Sequence, residues 1–185
     1  MKKIIISGFG GQGVLSLGKF ISYSAIHQNL NTSWLPSYGP EMRGGTSNCS
    51  VIYSAEEIAA PVIDHPDILI AFNEPSLDKF EGSVVKGGNI IVNSDIVHKH
   101  TTRDDVTFIE IPVDSLAAEI NKRGANVYML GALLPVFKDI TLESAIGAVE
   151  HVFESKPKVI PSNIECLKAG KAYMEKLLKL SLIHI

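Results

Sequence analysis

The run Ile4-Ile5-Ile6-Ser7-Gly8-Phe9-Gly10-Gly11-Gln12-Gly13-Val14-Leu15 sets an apolar strand, a glycine-rich turn and an apolar helix start in direct succession. That order constrains the fold more than any other feature of the chain. A strand that turns into a helix within a few residues needs backbone conformations that residues without Cβ adopt freely. The helix start then presents unpaired N–H groups, and these suit an anion. The spacing Gly8-x-Gly10-x-x-Gly13 also matches a dinucleotide-binding turn, but that fingerprint calls for an Asp or Glu about 20 residues on, at the end of the second strand. The corresponding region is Thr32-Ser33-Trp34-Leu35, with no carboxylate. Three readings of Gly8, Gly10, Gly11, Gln12 and Gly13 therefore stand: a dinucleotide site, a phosphate or pyrophosphate contact without NAD, and a purely structural turn. Gln12 either meets a ligand or closes the turn.

A second glycine loop, Ser37-Tyr38-Gly39-Pro40-Glu41-Met42-Arg43-Gly44-Gly45-Thr46, carries one fork-shaped cation beside one carboxylate. Pro40 stiffens it, while Gly44 and Gly45 let backbone approach a partner closely. Tyr38 and Arg43 are residue types favoured as interface anchors. The bland reading is a surface pair of Arg43 with Glu41, which contributes little. The sharper reading is a loop that docks on a partner subunit or an anionic ligand.

Along the rest of the chain, Asp67–Phe72, Asn89–Asn93 and Thr107–Ile111 read as strands, and Asn48–Tyr53 as an extended, hairpin-like excursion. Thr32–Leu35 reads as a short strand ended by Pro36. Helices are expected over Leu15–His27, from Pro75 to Phe80, over Leu116–Arg123 (capped by Asp114 or Ser115 and stopped by Gly124), and over Asn126–Phe137. Thr141 caps a further helix, Lys156-Pro157 breaks it, and Asn163 begins the last. Alternating strands and helices followed by a helical final third predict one α/β domain over residues 1–185. Its architecture is three-layered, a mainly parallel sheet flanked by helices with a Rossmann-like start, and residues 181–185 form a tail. At 185 residues and 45% hydrophobic, the chain suits one well-buried core.

Several function classes lose their support. A net charge of −3 supplies no basic stripe for nucleic acid. No apolar run approaches the roughly 18 residues of a membrane span, and Lys2-Lys3 with three isoleucines is too short for a signal peptide, so the chain is expected in the cytoplasm. Cys49 and Cys166 stand far apart, which excludes a self-contained iron–sulfur or zinc site and predicts buried free thiols. His98-Lys99-His100 reads as a solvated loop. No G-x-S-x-G, H-E-x-x-H or G-K-[ST] is present. No catalytic or metal-ligating constellation is legible, and the chain reads as a ligand-cradling or assembly subunit.

The paired loops, with Ser47-Asn48-Cys49, Glu57–Val62, Ala71-Phe72-Asn73 and Asn126–Ala132, resemble the gamma subunit of 2-oxoacid:ferredoxin (acceptor) oxidoreductases. The resemblance runs from Met1 to about Leu178. It implies an enzyme that decarboxylates a 2-oxoacid on thiamine diphosphate with magnesium, passes electrons through iron–sulfur clusters to ferredoxin or another acceptor, and forms acyl-CoA. It places the thiamine site on alpha and beta subunits and the clusters outside gamma, with a ferredoxin-like delta subunit as a further partner. This chain then holds no cofactor alone and helps to shape the coenzyme A region. The second loop looks closer to the 2-oxoglutarate and branched-chain versions than to the pyruvate version, with 2-oxoglutarate the substrate expected. The alternative is a self-contained Rossmann-type NAD(P) oxidoreductase.

Overall fold

Strand β1 (Lys2–Phe9) alternates its isoleucines across the sheet: Ile4 and Ile6 enter one apolar cluster and Ile5 enters another on the opposite face. A strand buried on both faces is the signature of a central position in an α/β sheet. The computed structural model describes residues 1–37 and 46–183, so Tyr38, Glu41, Arg43, Gly44 and Gly45 lie outside the described residues. After β1 come α1 (Val14–Ile26), β2 (Asn31–Ser37), β3 (Thr46–Ser54), β4 (Ile68–Ala71), α2 (Glu74–Phe80), β5 (Asn89–Asn93) and β6 (Thr107–Ile111). The final third is α3 (Val113–Ala118), α4 (Ala125–Phe137), α5 (Leu142–Val152) and α6 (Ile160–Ile183).

The six strands lie in the order β2-β3-β1-β4-β5-β6. β1, β4, β5 and β6 pair in parallel, and β3 runs antiparallel to both of its neighbours. Asn48–Tyr53 is extended and antiparallel to the strand before it, as expected, but instead of an excursion it belongs to a nine-residue strand filling the slot beside β1. Pro36 does not end the second strand either. It stays in register opposite Cys49, which a proline can do because β2 is an edge strand whose outer N–H groups have no ladder partner.

The larger apolar cluster joins Ile4, Ile6, Ile68, Ile70 and Ile91 to α1, α4, α5 and α6, while the smaller one packs Ile5, Leu69, Ile90 and Val92 against Leu77 of α2. The three-layer expectation holds, with most of the helical mass on one face. Helices α4 and α6 meet backbone to backbone. A Cβ on Gly131 would stand 2.0 Å from the Leu167 carbonyl oxygen, and one on Gly170 would stand 2.0 Å from that of Tyr128.

Other boundaries shift for local reasons. α3 starts directly after Pro112, three residues earlier than expected, and ends at Ala118, so neither Asp114 nor Ser115 caps it. Asp114 instead accepts from Asn93 Nδ2 at 2.8 Å. Gly124 is the N-cap residue of α4 rather than the stop of α3, and a Cβ there would fall 2.5 Å from Cys166 Sγ. α6 begins at Ile160, before Asn163, and continues through Ser181–Ile183, which the sequence reading set apart as a tail. The Thr141 cap is as expected: its Oγ1 accepts from Ser144 N at 3.2 Å. His98, Lys99 and His100 are exposed in irregular backbone, as expected.

Both cysteines are free and wholly buried. Cys49 lies under α1, where its thiol donates to the Val14 carbonyl at 3.6 Å. A Cβ on Gly18 would be 2.6 Å from Trp34 Nε1 and 2.7 Å from Cys49 Sγ, so glycine at 18 lets α1 lie flat on β2 and β3. Burial pushes the Cys49 thiol up to about 12, against a smaller opposing effect of the Trp34 side chain.

Candidate functional site

Chain direction places a crevice at the carboxyl end of β1. From β1 the chain crosses by α1 to β2 on one side of the sheet, whereas from β4 it crosses by α2 to β5 on the other. The point where the winding reverses is where open α/β sheets hold ligands. Here it is bounded by the Gly8–Gly13 turn on β1 and by Phe72-Asn73 beyond β4.

Three of the glycines in that turn have reasons of their own. At Gly8 a Cβ would meet Gln12 Oε1 at 2.7 Å, Phe72 Cβ at 2.8 Å and Val14 Cγ2 at 2.9 Å. Gly11 has φ +91° with open space above it, and Gly13 has φ +78° with Asn126 Cβ and Nδ2 3.1 Å from where a Cβ would stand. Only glycine adopts such backbone without strain. Gln12 closes the turn: its Oε1 accepts from Phe9 N at 2.6 Å, and its Nε2 donates to the Phe72 carbonyl at 3.2 Å. Both ends of that amide are occupied, which favours the turn-closing reading of Gln12. The start of α1 has no side-chain cap and no acidic residue in its first turn, so its leading N–H groups face the crevice uncompensated.

A hollow of about 400 Å³ opens beside this turn, lined by Gly11, Gln12, Gly13, Asp114, Lys122, Arg123, Ala125 and Asn126. Lys122 and Arg123 form no ion pair among the described residues. Asp114, the one carboxylate in this lining, is engaged by Asn93. Phe9, Gly10, Ser16 and Ser47 line a second groove beside the glycines, of about 280 Å³. The structure thus joins the first glycine loop to cations from the α3–α4 connection. Sequence reasoning missed Lys122, Arg123 and Asn126, because they lie more than 100 residues downstream and no local pattern ties them to the turn.

The anchors of the two glycine loops also come together. Thr46 pairs with Phe9, and Ser37 with Asn48, so the second loop leaves and re-enters the sheet next to the first. By contrast, the NAD(P) alternative loses its geometry. Its ribose carboxylate would end a strand adjacent to β1, but β3 takes that position, and β2 carries no acid.

The model of the family described as pyruvate ferredoxin/flavodoxin oxidoreductase matches residues 3–173. The chain belongs to that family. Ketoisovalerate oxidoreductase subunit VorA of Methanothermobacter marburgensis is 39% identical over 179 residues, which is 96% of this chain and 37% of VorA. This chain therefore spans little more than a third of the length of that relative. The keto/oxoacid ferredoxin oxidoreductase gamma subunit of Geobacter sulfurreducens superposes with a TM-score of 0.79 at 27% identity, covering 97% of this chain and 99% of that one. A 2-oxoglutarate:ferredoxin oxidoreductase of Magnetococcus marinus, solved with 2-oxoglutarate, coenzyme A and succinyl-CoA, shares the fold with a TM-score of 0.85 at 23% identity, over 95% of this chain and 31% of that one. The expected resemblance to gamma subunits holds along almost the whole chain. No helix among the described residues is long and apolar enough to cross a membrane.

Proposed function

We propose that this chain is the gamma subunit of a thiamine-diphosphate-dependent 2-oxoacid:ferredoxin oxidoreductase of the cytoplasm, where it cradles the diphosphate of coenzyme A. One observation carries this reading: the glycine turn, the uncapped start of α1 and Lys122 and Arg123, which form no ion pair among the described residues, converge on one crevice at the switch point of the sheet. Backbone N–H groups on glycines and two cations are the donors a diphosphate needs. The Magnetococcus enzyme, of like fold, was solved with coenzyme A. In this reading thiamine diphosphate with magnesium, which stabilises the carbanion left by decarboxylation, belongs to partner alpha and beta chains. Iron–sulfur clusters belong to partners that include a ferredoxin-like delta chain, and the Tyr38–Gly45 loop with Arg43 docks on those partners.

The 2-oxoacid we assign is 2-oxoglutarate, from the resemblance of the second loop. The VorA relative favours the branched-chain acid ketoisovalerate as a second reading. Co-purifying the chain with its partners and following viologen reduction with 2-oxoglutarate, ketoisovalerate and pyruvate tests both. Coenzyme-A-dependent reduction by the assembled complex, fastest with 2-oxoglutarate, is expected, with none from this chain alone. Turnover by the isolated chain, or saturable NAD binding to it by calorimetry, would overturn the assignment.

A further inference from the structure

Strand β2 is the open edge of the sheet beyond β3, and nothing among the described residues pairs with its outer side. Pro36, which has no N–H, stands opposite Cys49, so this pair is of the non-hydrogen-bonded kind in the antiparallel ladder. Alternation carries the same pattern to Trp34 and Thr32, whose N–H and C=O groups therefore point away from β3. Edge strands are ordinarily blunted by charged side chains, by proline or by a covering element. Pro36 blunts one end of β2, but residues 31–35 carry no charge, and Leu35 is 43% exposed. An uncharged edge of that kind is a template for another strand.

The helix beside this edge supplies a groove. Lys19, Ser22, Tyr23 and Ile26 follow helical spacing along one face of α1 and, with Thr32 and Trp34 of β2, line a hollow of about 240 Å³. Two polar groups there are left over. Ser22, only 7% exposed, and Thr32 each keep a buried hydroxyl with no hydrogen-bond partner among the described residues. Trp34 does not meet that need, since its Nε1 lies beside Cys49 Sγ. Lys19 Nζ stands 5.2 Å from the centre of the Trp34 ring and forms no ion pair among the described residues, and no carboxylate lines the hollow. A strand added beside β2 would present alternate side chains to the α1 face, opposite Thr32 and Trp34, and so into this hollow.

We infer that the edge of β2 and the α1 groove together receive an extended, acidic segment of a partner subunit, which adds a seventh strand to the sheet. Its backbone bonds the outward groups of Thr32 and Trp34, while an inward carboxylate meets Lys19 and accepts from the Ser22 and Thr32 hydroxyls. Ile26 and Leu35, both exposed large apolar residues, are covered from opposite faces of the sheet. Charge decides the occupant. A second copy of the chain, paired through β2 about a two-fold axis, would insert only the uncharged side chains of β2, so no carboxylate would reach Lys19. The inference rests on the subunit reading above and adds a docking surface whose lining shares no residue with the spaces at the glycine turn.

The test uses the full chain alone and in the complex with which it co-purifies. Hydrogen exchange resolved to single amides should find Thr32 and Trp34 open in the isolated chain and slowed by on the order of tenfold or more in the complex. Lys19→Glu should weaken assembly on the order of tenfold at low salt, and less as salt rises, while Lys19→Arg assembles normally. Ser22→Ala removes a hydroxyl that bonds nothing in the free chain, so the isolated variant should melt no lower than the parent, yet its complex should dissociate faster. A purely structural serine would not give that pair of results. Thr32 and Trp34 amides that exchange equally in both states, or full assembly by Lys19→Glu, would overturn the inference and leave the subunit reading in place. Slow amides in an isolated chain of dimeric mass would assign the edge to a second copy and overturn it too. A chain that co-purifies with no partner would overturn the subunit reading itself, and the inference with it.

Discussion

Gly13 shows how one residue serves fold and site together: its left-handed backbone starts α1, and its missing side chain lets Asn126 come close. The first requirement was legible in the glycine spacing, but the second was not, since Asn126 reaches the turn only through the long-range packing of α4. Gln12 is a further case. The sequence offered two roles for it, and the hydrogen bonds to Phe9 and Phe72 give its amide to the turn. Cys49 carries a prediction at the same scale. Its thiol is held neutral by burial, with its titration raised from the usual 9.0 to about 12. A group whose pKa is raised on folding stabilises the fold fully below its unfolded value and loses that contribution as pH climbs through the folded one. Melting temperature should therefore fall from about pH 9 towards pH 12, and less steeply in Cys49→Ala. Tyr128, also raised to about 12 by burial, keeps part of the decline in that variant. Parallel curves for the two proteins would show that Cys49 plays no part.

Among the elements, the pairing of α4 with α6 depends on two small residues. Gly131 and Gly170 each face a carbonyl oxygen of the opposite helix, and neither backbone yields as a flexible side chain would. Gly131→Ala should therefore destabilise the chain by about 3 kcal/mol, the upper part of the usual range for overpacking, despite alanine's better helix propensity. Thermal melts should show a drop on the order of 10 °C. A rise in melting temperature would mean that the helices separate at no cost. That both segments are helices was readable in the sequence, whereas the closeness of their backbones was not. Strand type was readable as well, since the runs Ile68–Ala71 and Asn89–Asn93 are too apolar for anything but a central position. The place of β3 escaped, because an antiparallel strand inserted beside β1 leaves no local mark in Asn48–Tyr53. The helix starts at Val113 and Ala125 were misjudged, since neither Pro112 nor Gly124 before them caps through a side chain that the sequence would advertise.

For the molecule as a whole, the order of strands brings chemistry from distant segments to one end of the sheet. The first glycine turn, the anchors of the second loop and the α3–α4 connection all meet there, although about 110 residues separate the first from the last. The sequence made the two glycine loops conspicuous, but only topology places the anchors of the second beside the first and adds Lys122 and Arg123. The two cysteines sit on either side of this assembly, Cys49 beneath the β2–α1 edge and Cys166 against the α4–α6 pair. Each is sealed from solvent, so a thiol reagent reaches either only when its surroundings open. The native chain thus carries two clocks that need no engineered label. Pulsed alkylation read by mass spectrometry should mark Cys49 faster than Cys166, since the edge strand β2, whose Trp34 lies beside the internal Cys49, opens more readily than a helix pair locked backbone to backbone. Ligand at the glycine crevice should slow Cys49 further, because its thiol is bonded to Val14, the first residue of the helix whose start would hold the phosphate. Equal rates for the two thiols would instead report a molecule that opens only as a single unit.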